Sequence, residues 1–358
     1  MSDKVEAAVE TDRNLGAKRP GIVQVSILFS VTIILFLFIG YRVQQSEFYS
    51  GVLISEFGLI MLPALIFLLL FRYDLRPVLG LKGTRPLNFL VTFVLMLLAI
   101  PIAGVFNLLN LLIVNSIFGK IIVGQLPAAT DAWSLLANIL VIAGSAGICE
   151  EFLFRGVIQR SFERRFGITR AILLAAFLFS LTHMDFQKIF GTFLLGALIG
   201  FIFYRTDSLL CSMFAHFTNN AAVVLIGFIS AKFMSLYGDS GAKIAEGTDL
   251  NALISTFSSL SPQQLAIVLF VYGFFFLVII SFFILLLVAL IKLNPVNKPN
   301  GAITGVLAEN RTVRANLKSL AWLLPGALLI ASLYYFEVLK FKGISNGLVE
   351  AARRLLGS

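Results

Sequence analysis

The sequence predicts an all-α protein, a polytopic transmembrane helical bundle of about nine helices, or eight if one apolar run does not cross. Of its residues, 58% are hydrophobic and only 13% are charged, whereas an ordinary soluble domain has roughly 25% charged residues. The apolar residues form continuous runs rich in Leu, Ile and Phe, not the alternating pattern of a transmembrane barrel. Helices are therefore expected to satisfy the backbone hydrogen bonds of these runs inside the bilayer.

Seven runs are long enough to cross a hydrocarbon core of about 30 Å, which takes roughly 20 helical residues. They lie at about 22–41, 51–71, 88–117, 133–159, 208–230, 264–291 and 319–336. Two shorter runs, at about 171–184 and 189–204, complete the count. The first run is followed by Tyr41-Arg42-Val43 instead of a small-residue cleavage site, which predicts an uncleaved first helix and not a signal peptide.

This pattern divides the chain into six segments. They are a disordered N-terminal tail (1–20), N-terminal transmembrane helices (21–130), a helical core that carries the polar motifs described below (131–230), an outside loop with a short helix near 251–260 (231–263), C-terminal transmembrane helices (264–337) and an amphipathic tail (338–358).

The distribution of Lys and Arg predicts the orientation. Nineteen of the 28 Lys and Arg residues fall on the side of the N-terminus, five fall on the other side and four lie in the C-terminal tail. Cytoplasmic loops carry an excess of these residues, so we expect a multi-pass protein of the cell membrane with a cytoplasmic N-terminus. Nine crossings leave the basic tail outside, an exception that eight crossings would remove. The net charge of +9 indicates contact with membrane lipids, and no nucleic-acid partner is expected.

A small set of ionisable residues lies within the apolar runs. The chain has only two histidines, His183 and His216, and a third apolar run leads into Glu150-Glu151. Such residues are expensive in a membrane and are usually functional. On a helix, Glu151 and Arg155 are four residues apart and face each other. Glu150 lies about 100° further round the same helix, so it is left available.

The other two runs present their polar residues in the same way. Phe179 and His183 share a helix face, as do His216 and Asn220. Counted from the basic boundary at about 1.5 Å per residue, Glu150 and His216 each lie about 15 Å deep and His183 about 20 Å deep. Similar depth on three helices predicts one shared buried site.

These three motifs resemble those of a known family, the type II CAAX prenyl endopeptidases and bacteriocin-processing intramembrane proteases, called CPBP or Abi proteins. The family pattern Glu-Glu-x-x-x-Arg-Gly, Phe-x-x-x-His and His-x-x-x-Asn appears here, in order, as Glu150-Glu151…Arg155-Gly156, Phe179…His183 and His216…Asn220. The resemblance covers roughly 133–230, and the flanking helices carry no such motif.

The resemblance implies an intramembrane endopeptidase that hydrolyses peptide bonds of lipid-anchored or membrane-inserted substrates. Glu150 is then the general base on a water molecule that His183 helps to hold. His216 and Asn220 are implied to donate hydrogen bonds to the oxyanion of the tetrahedral intermediate. Whether the substrate is prenylated stays open.

No cofactor is implied, but zinc stays an alternative. Two histidines and a glutamate are a familiar ligand set for catalytic zinc. Such a site usually keeps a further carboxylate as general base. Glu151 cannot easily fill this role while it pairs with Arg155 to orient the helix. The sequence therefore favours metal-free hydrolysis.

A second hypothesis treats the same residues as structural. Polar side chains in membrane helices often only hold helices together, which is compatible with a non-catalytic scaffold, immunity factor or accessory subunit that binds partners in a membrane complex. A transporter with a proton relay is a weaker third hypothesis, because no pair of broken helices in matching halves is visible. The small residues at 144–147 and the glycines Gly191, Gly196 and Gly200 predict close helix packing.

Overall fold

The computed structural model describes residues 19–121, 129–236, 250–295 and 318–342. Throughout these ranges the regular structure is helical, which confirms the predicted all-α bundle. The nine apolar helices are α1 (Ile22–Ser46), α2 (Phe48–Leu70), α3 (Pro86–Phe118), α4 (Ala132–Phe166), α5 (Ile168–Thr182), α6 (Ile189–Thr206), α7 (Leu209–Ser235), α8 (Pro262–Leu293) and α9 (Lys318–Leu339). Eight are long and apolar enough to cross a membrane, and α5 is the shorter one. The chain is thus a multi-pass membrane protein.

Local sequence signals fix several helix ends. Asp131 accepts a hydrogen bond from the backbone of Ser134 at 2.8 Å and begins α4. Ser261 caps α8 in the same way, with Pro262 as the first helical residue, a position where proline is favoured. Gly119 follows α3 in the left-handed conformation, which ends a helix without a Cβ penalty.

The segments between the apolar helices are only partly described. A short helix spans Leu75–Leu79, and another spans Leu250–Ser259, where the sequence predicts one near 251–260. Most of the predicted disordered tail (1–20) and of the predicted amphipathic tail (338–358) lies outside the described residues, as does much of the loop 231–263.

Polar contacts bring together the ends of α3, α6 and α8 on one side of the bundle, which we call the basic face. Arg85 donates to the carbonyl oxygen of Leu293 at 3.1 Å, and Arg205 donates to that of Asn294 at 2.6 Å. Asn88 and Asn294 exchange side-chain hydrogen bonds at 2.9 and 2.8 Å. The beginning of α1 lies on this face too, because Arg19 interacts electrostatically with Glu163 near the end of α4.

The other ends of the helices meet on the opposite face. The ring of Phe118, the last residue of α3, lies 5.5 Å from that of Phe186, which follows α5, and 5.2 Å from that of Phe341, near the end of α9. Ser30 of α1 donates to the carbonyl oxygen of Trp322 of α9 at 2.9 Å, so these two helices lie side by side. Because Phe341 lies against Phe118, α9 ends opposite the face where α1 begins.

Buried apolar side chains form two clusters, and α4 supplies much of the larger one. This cluster joins α1, α2, α4, α5 and α9, with Phe29, Leu68, Leu153, Phe179 and Ile330 among its members. The second cluster joins α3, α6, α7 and α8 through residues such as Leu95, Ile202, Ala215 and Leu290. The residues of the predicted site lie where α4, α5 and α7 meet.

Candidate active site

The predicted ion pair between Glu151 and Arg155 forms inside the bundle. An oxygen of Glu151, Oε1, lies 2.9 Å from Arg155 Nη1, and the two side chains are 0% and 1% exposed. Arg155 also donates from Nη2 to the carbonyl oxygen of Gly196 in α6 at 3.0 Å. Its guanidinium carbon lies 4.6 Å from the centre of the Phe179 ring. The pair therefore ties α4 to both α5 and α6.

The histidine of α7 joins this pair directly. His216 Nδ1 lies 2.9 Å from the same Oε1 atom of Glu151. Its other ring nitrogen, Nε2, lies 3.9 Å from Oε2 of Glu150. Glu151 therefore bridges Arg155 and His216, and the second ring nitrogen of His216 points toward Glu150.

The two adjacent carboxylates have different surroundings. Oε1 of Glu151 contacts both a guanidinium and an imidazole. The Glu150 side chain is 16% exposed, and its Oε2 accepts no hydrogen bond from the part of the chain that the structure describes. One carboxylate is thus held by partners, whereas Oε2 of its neighbour is buried and has no hydrogen-bond partner among the described residues.

The ring of Phe179 lies between the two histidines. It packs edge-on against His183 at 4.8 Å and against His216 at 5.6 Å between ring centres. Phe154 of α4 packs on the same ring at 5.3 Å. The structure therefore brings the polar residues of α4, α5 and α7 around one aromatic ring.

His183 occupies a different local position from the one that the sequence suggests. It was expected inside the apolar run 171–184, but α5 ends at Thr182 and His183 is exposed. Met184, the next residue, has a φ of 51°, a left-handed conformation in which an α-helix cannot continue. The His183 ring turns back toward the helix end, with Nδ1 at 3.0 Å from the carbonyl oxygen of Phe179. The imidazole therefore stands at a helix end with its ring accessible.

Asn220 lies one turn beyond His216 in α7 and is half-buried. Its side-chain oxygen accepts a hydrogen bond from Asn219 at 3.0 Å. Because the Asn220 side-chain oxygen accepts this bond, Asn219 fixes the orientation of the whole Asn220 amide, including its NH₂ group. Asn219, which the family motif does not include, thus holds the amide of a motif residue.

The comparison with family models identifies this region. Residues 132–222 match the family model described as type II CAAX prenyl endopeptidase Rce1-like. We call these residues the Rce1-like domain, after the family model to which they are similar. No curated protein and no solved structure matches the chain. The match is a similarity to CAAX-type prenyl endopeptidases at the level of the family.

A third carboxyl group lies beside the Rce1-like domain and was missed by the sequence analysis. Glu56 of α2 is 8% exposed and interacts electrostatically with both Glu150 and Cys149. Its Oε2 makes no hydrogen bond to the described residues. Glu56 lies alone in the apolar run 51–71, so the rule that marks ionisable residues in membrane helices as functional candidates would have found it.

Metal ligands do not cluster in the described ranges. In these ranges, no three of the His, Cys, Asp and Glu side chains are grouped so that they could hold one metal ion. In the alternative zinc set of two histidines and a glutamate, His216 Nε2 lies 3.9 Å from Glu150 Oε2, and His216 Nδ1 is bonded to Glu151.

Gly147 sets the distance between α4 and α7 in the Rce1-like domain. A Cβ atom at this position would lie 3.1 Å from the backbone nitrogen of Phe217 and 3.2 Å from the backbone oxygen of Met213. Because both atoms belong to the backbone of α7, neither can rotate away. Of the small residues before Glu150, Gly147 thus allows the close helix packing that the sequence predicted.

We expect Gly147→Val to lower the free energy of unfolding by about 1–3 kcal/mol, because overpacking forces backbone shifts. Gly144→Val is the matched control, since a Cβ there meets only the Ile139 carbonyl oxygen of its own helix, at 3.7 Å. Both variants introduce the same β-branched residue into the same helix, so their helix propensities cancel. Unfolding in mixed micelles measures the difference, and equal destabilisation of both variants would contradict the role given to Gly147.

Proposed function

We propose that the protein is an intramembrane endopeptidase that hydrolyses peptide bonds of lipid-anchored or membrane-inserted substrates without a covalent acyl-enzyme. The observation that carries the proposal is the division of roles between two adjacent carboxylates. Glu151 is held by Arg155 and His216, whereas Oε2 of Glu150 accepts no hydrogen bond from the described residues and faces His216 at 3.9 Å. The Rce1-like match of residues 132–222 supports this reaction class.

In the proposed reaction, Glu150 is the general base and His183 helps to hold the attacking water. The water oxygen forms a bond with the carbonyl carbon while one of its protons passes to Glu150. When the tetrahedral intermediate collapses, the carbon–nitrogen bond breaks and Glu150 returns the proton to the leaving nitrogen. The products are a carboxylic acid and an amine, and Glu150 is again ionised. A positioned base of this kind typically contributes a factor of 10²–10⁴ to the rate.

His216 and Asn220 are the proposed donors to the oxyanion. With Nδ1 bonded to Glu151, His216 in its doubly protonated form can donate from Nε2. Asn220 can donate from its NH₂ group, since its oxygen already accepts from Asn219. Loss of one such donor costs about 3–4 kcal/mol in the transition state in other hydrolases.

Glu151 and Arg155 are proposed to act on the reaction through orientation. Their contacts with His216, Phe179 and the Gly196 carbonyl fix the imidazole and the helix on which Glu150 lies. A buried pair of this kind specifies geometry more than it adds stability.

The test is cleavage by the purified protein in liposomes that contain a panel of peptides. The panel includes a prenylated C-terminal peptide, an acylated peptide and a transmembrane peptide, each assayed with and without EDTA. We expect at least one peptide to be cleaved, at a rate that EDTA leaves unchanged. Loss of product only in EDTA would support zinc catalysis, and absence of product from every peptide would favour the non-catalytic scaffold.

A further inference from the structure

The turn between α5 and α6, residues 183–188, lies on the face of the bundle where α3 and α9 end, because Phe186 packs against Phe118 and Phe341. Non-helical backbone inside a membrane protein needs hydrogen-bond partners from other parts of the protein. The partners of this turn therefore show what holds His183 in place.

Side chains from two distant helices bond the backbone of Phe186, at the middle of the turn. Asn110 of α3, itself buried at 6% exposure, donates from its side-chain nitrogen to the Phe186 carbonyl oxygen at 2.8 Å. Glu337 of α9 accepts from the Phe186 backbone nitrogen at 3.5 Å. In addition, the hydroxyl group of Tyr334 in α9 donates to the carbonyl oxygen of Leu181 at 3.5 Å. Both backbone groups of Phe186 thus have partners outside the hairpin of α5 and α6.

The side chain of Phe186 is held by the same two helices. Its ring centre lies 5.5 Å from that of Phe118 in α3 and 4.9 Å from that of Phe341, which continues the helix of α9 past Leu339. The rings of Phe118 and Phe341 are 5.2 Å apart, so the three rings form a closed triangle. We call these three residues the aromatic triangle. Aromatic pairs at such distances are stabilised beyond the burial of their area.

The conformation of Met184 shows that the turn needs this support. Its positive φ of 51° immediately follows His183, and non-glycine residues keep such conformations only where their surroundings over-determine them. Asn110 and the aromatic triangle fix the chain two residues further on. The support for the His183 turn thus comes from helices that lie outside the matched residues 132–222.

We propose that Asn110 and the aromatic triangle position His183, so that α3 and α9 complete a site whose motif residues all lie on other helices. The catalytic consequence rests on the proposed function, in which His183 holds the attacking water. The positional consequence does not rest on it, because the orientation of the His183 ring can be measured without a substrate. Asn110 is in this sense a positioning residue.

The direct test is the nuclear magnetic resonance of the imidazole nitrogens in protein labelled with ¹⁵N-histidine. The chain has only two histidines, so His183→Gln and His216→Gln assign the two signals without ambiguity. Asn110→Leu removes the donor at nearly constant volume. We expect it to shift or broaden the His183 signals, while those of His216 stay as in the wild type.

Asn88→Leu is the matched control. Asn88 is a buried asparagine of the same helix, α3, and its side chain donates to Thr84 and Asn294 on the basic face. The control removes equivalent hydrogen bonds far from His183, so it should leave both histidine signals unchanged. If Asn110→Leu does not fold, Phe341→Leu, which removes one ring of the aromatic triangle, makes the same test from α9.

Cleavage kinetics give the second measurement. A displacement of about 1 Å in a catalytic group can cost a factor of 10², so we expect Asn110→Leu to lower kcat by about 10- to 100-fold with KM nearly unchanged. Unchanged His183 signals in Asn110→Leu, or an equal shift in Asn88→Leu, would overturn the positioning role. Shifted His183 signals together with a wild-type protein that cleaves none of the peptides would support that role and would count against the endopeptidase itself.

Discussion

Glu150→Gln is expected to lower the rate of peptide cleavage by about 10²- to 10⁴-fold, the usual contribution of a positioned general base. The amide keeps the shape of the side chain and cannot accept the proton of the attacking water. Because Oε2 of Glu150 accepts no hydrogen bond within the described ranges and lies 3.9 Å from its neighbour His216 Nε2, the substitution removes no hydrogen bond of this atom. Cleavage in liposomes measures the rate, and the thermal unfolding of the variant shows whether the fold is retained.

Glu163→Gln provides the control for this substitution. Glu163 lies further along the same helix, where it accepts a hydrogen bond from Gln159 at 3.0 Å and pairs with Arg160 at 3.6 Å; an amide can keep the first contact but loses the charge of the second. We expect this variant to cleave at the rate of the wild type. If Glu150→Gln is fully active and Glu151→Gln is inactive, Glu151 is the general base and the proposed role of Glu150 is wrong.

Arg155→Met is expected to destabilise the protein by about 3–5 kcal/mol. Removal of one member of a buried ion pair leaves the other as an uncompensated buried charge. Here the remaining group is Glu151, which is fully buried and would keep only His216 as a partner. The variant also loses the hydrogen bond to the Gly196 carbonyl oxygen and the contact with the ring of Phe179. The free energy of unfolding in mixed micelles measures the loss.

The double variant Glu151→Gln/Arg155→Met separates the effect of the uncompensated charge on stability from the effect of the lost packing. If the uncompensated charge causes most of the loss, the neutral double variant should be more stable than Arg155→Met alone, since replacement of both partners is often nearly neutral. If the double variant loses as much free energy of unfolding as the two single variants together, the loss is due to packing and not to the uncompensated charge. Arg155→Lys should recover only part of the stability, because lysine lacks the planar fork that contacts Glu151 and Gly196 together.

The sequence was most informative where one helix determines the geometry. The four-residue spacing predicted the contact of Glu151 with Arg155 and that of Phe179 with His183, and both are present. The apolar runs predicted all nine helices, because length and composition decide which segments can cross a bilayer. Such relations hold within a single helix and need no knowledge of how helices pack.

Relations between helices could not be predicted in the same way. Counting depth placed Glu150 and His216 at similar levels but could not show that His216 bonds to Glu151 and only approaches Glu150. That choice depends on the rotation of α7 against α4, which the close approach at Gly147 sets. The partners of the His183 turn, Asn110 and Phe341, lie at sequence distances for which no spacing rule exists.

Helix length has a consequence for the surrounding lipid. The helices α3 and α8, with 33 and 32 residues, extend about 48 Å each, more than twice the length of α5. We expect such unequal helices to be accommodated by tilt of the long ones and by thinning of the bilayer beside the short one, which ends just before His183. The acyl-chain length of the host membrane thus becomes part of the environment in which this histidine works.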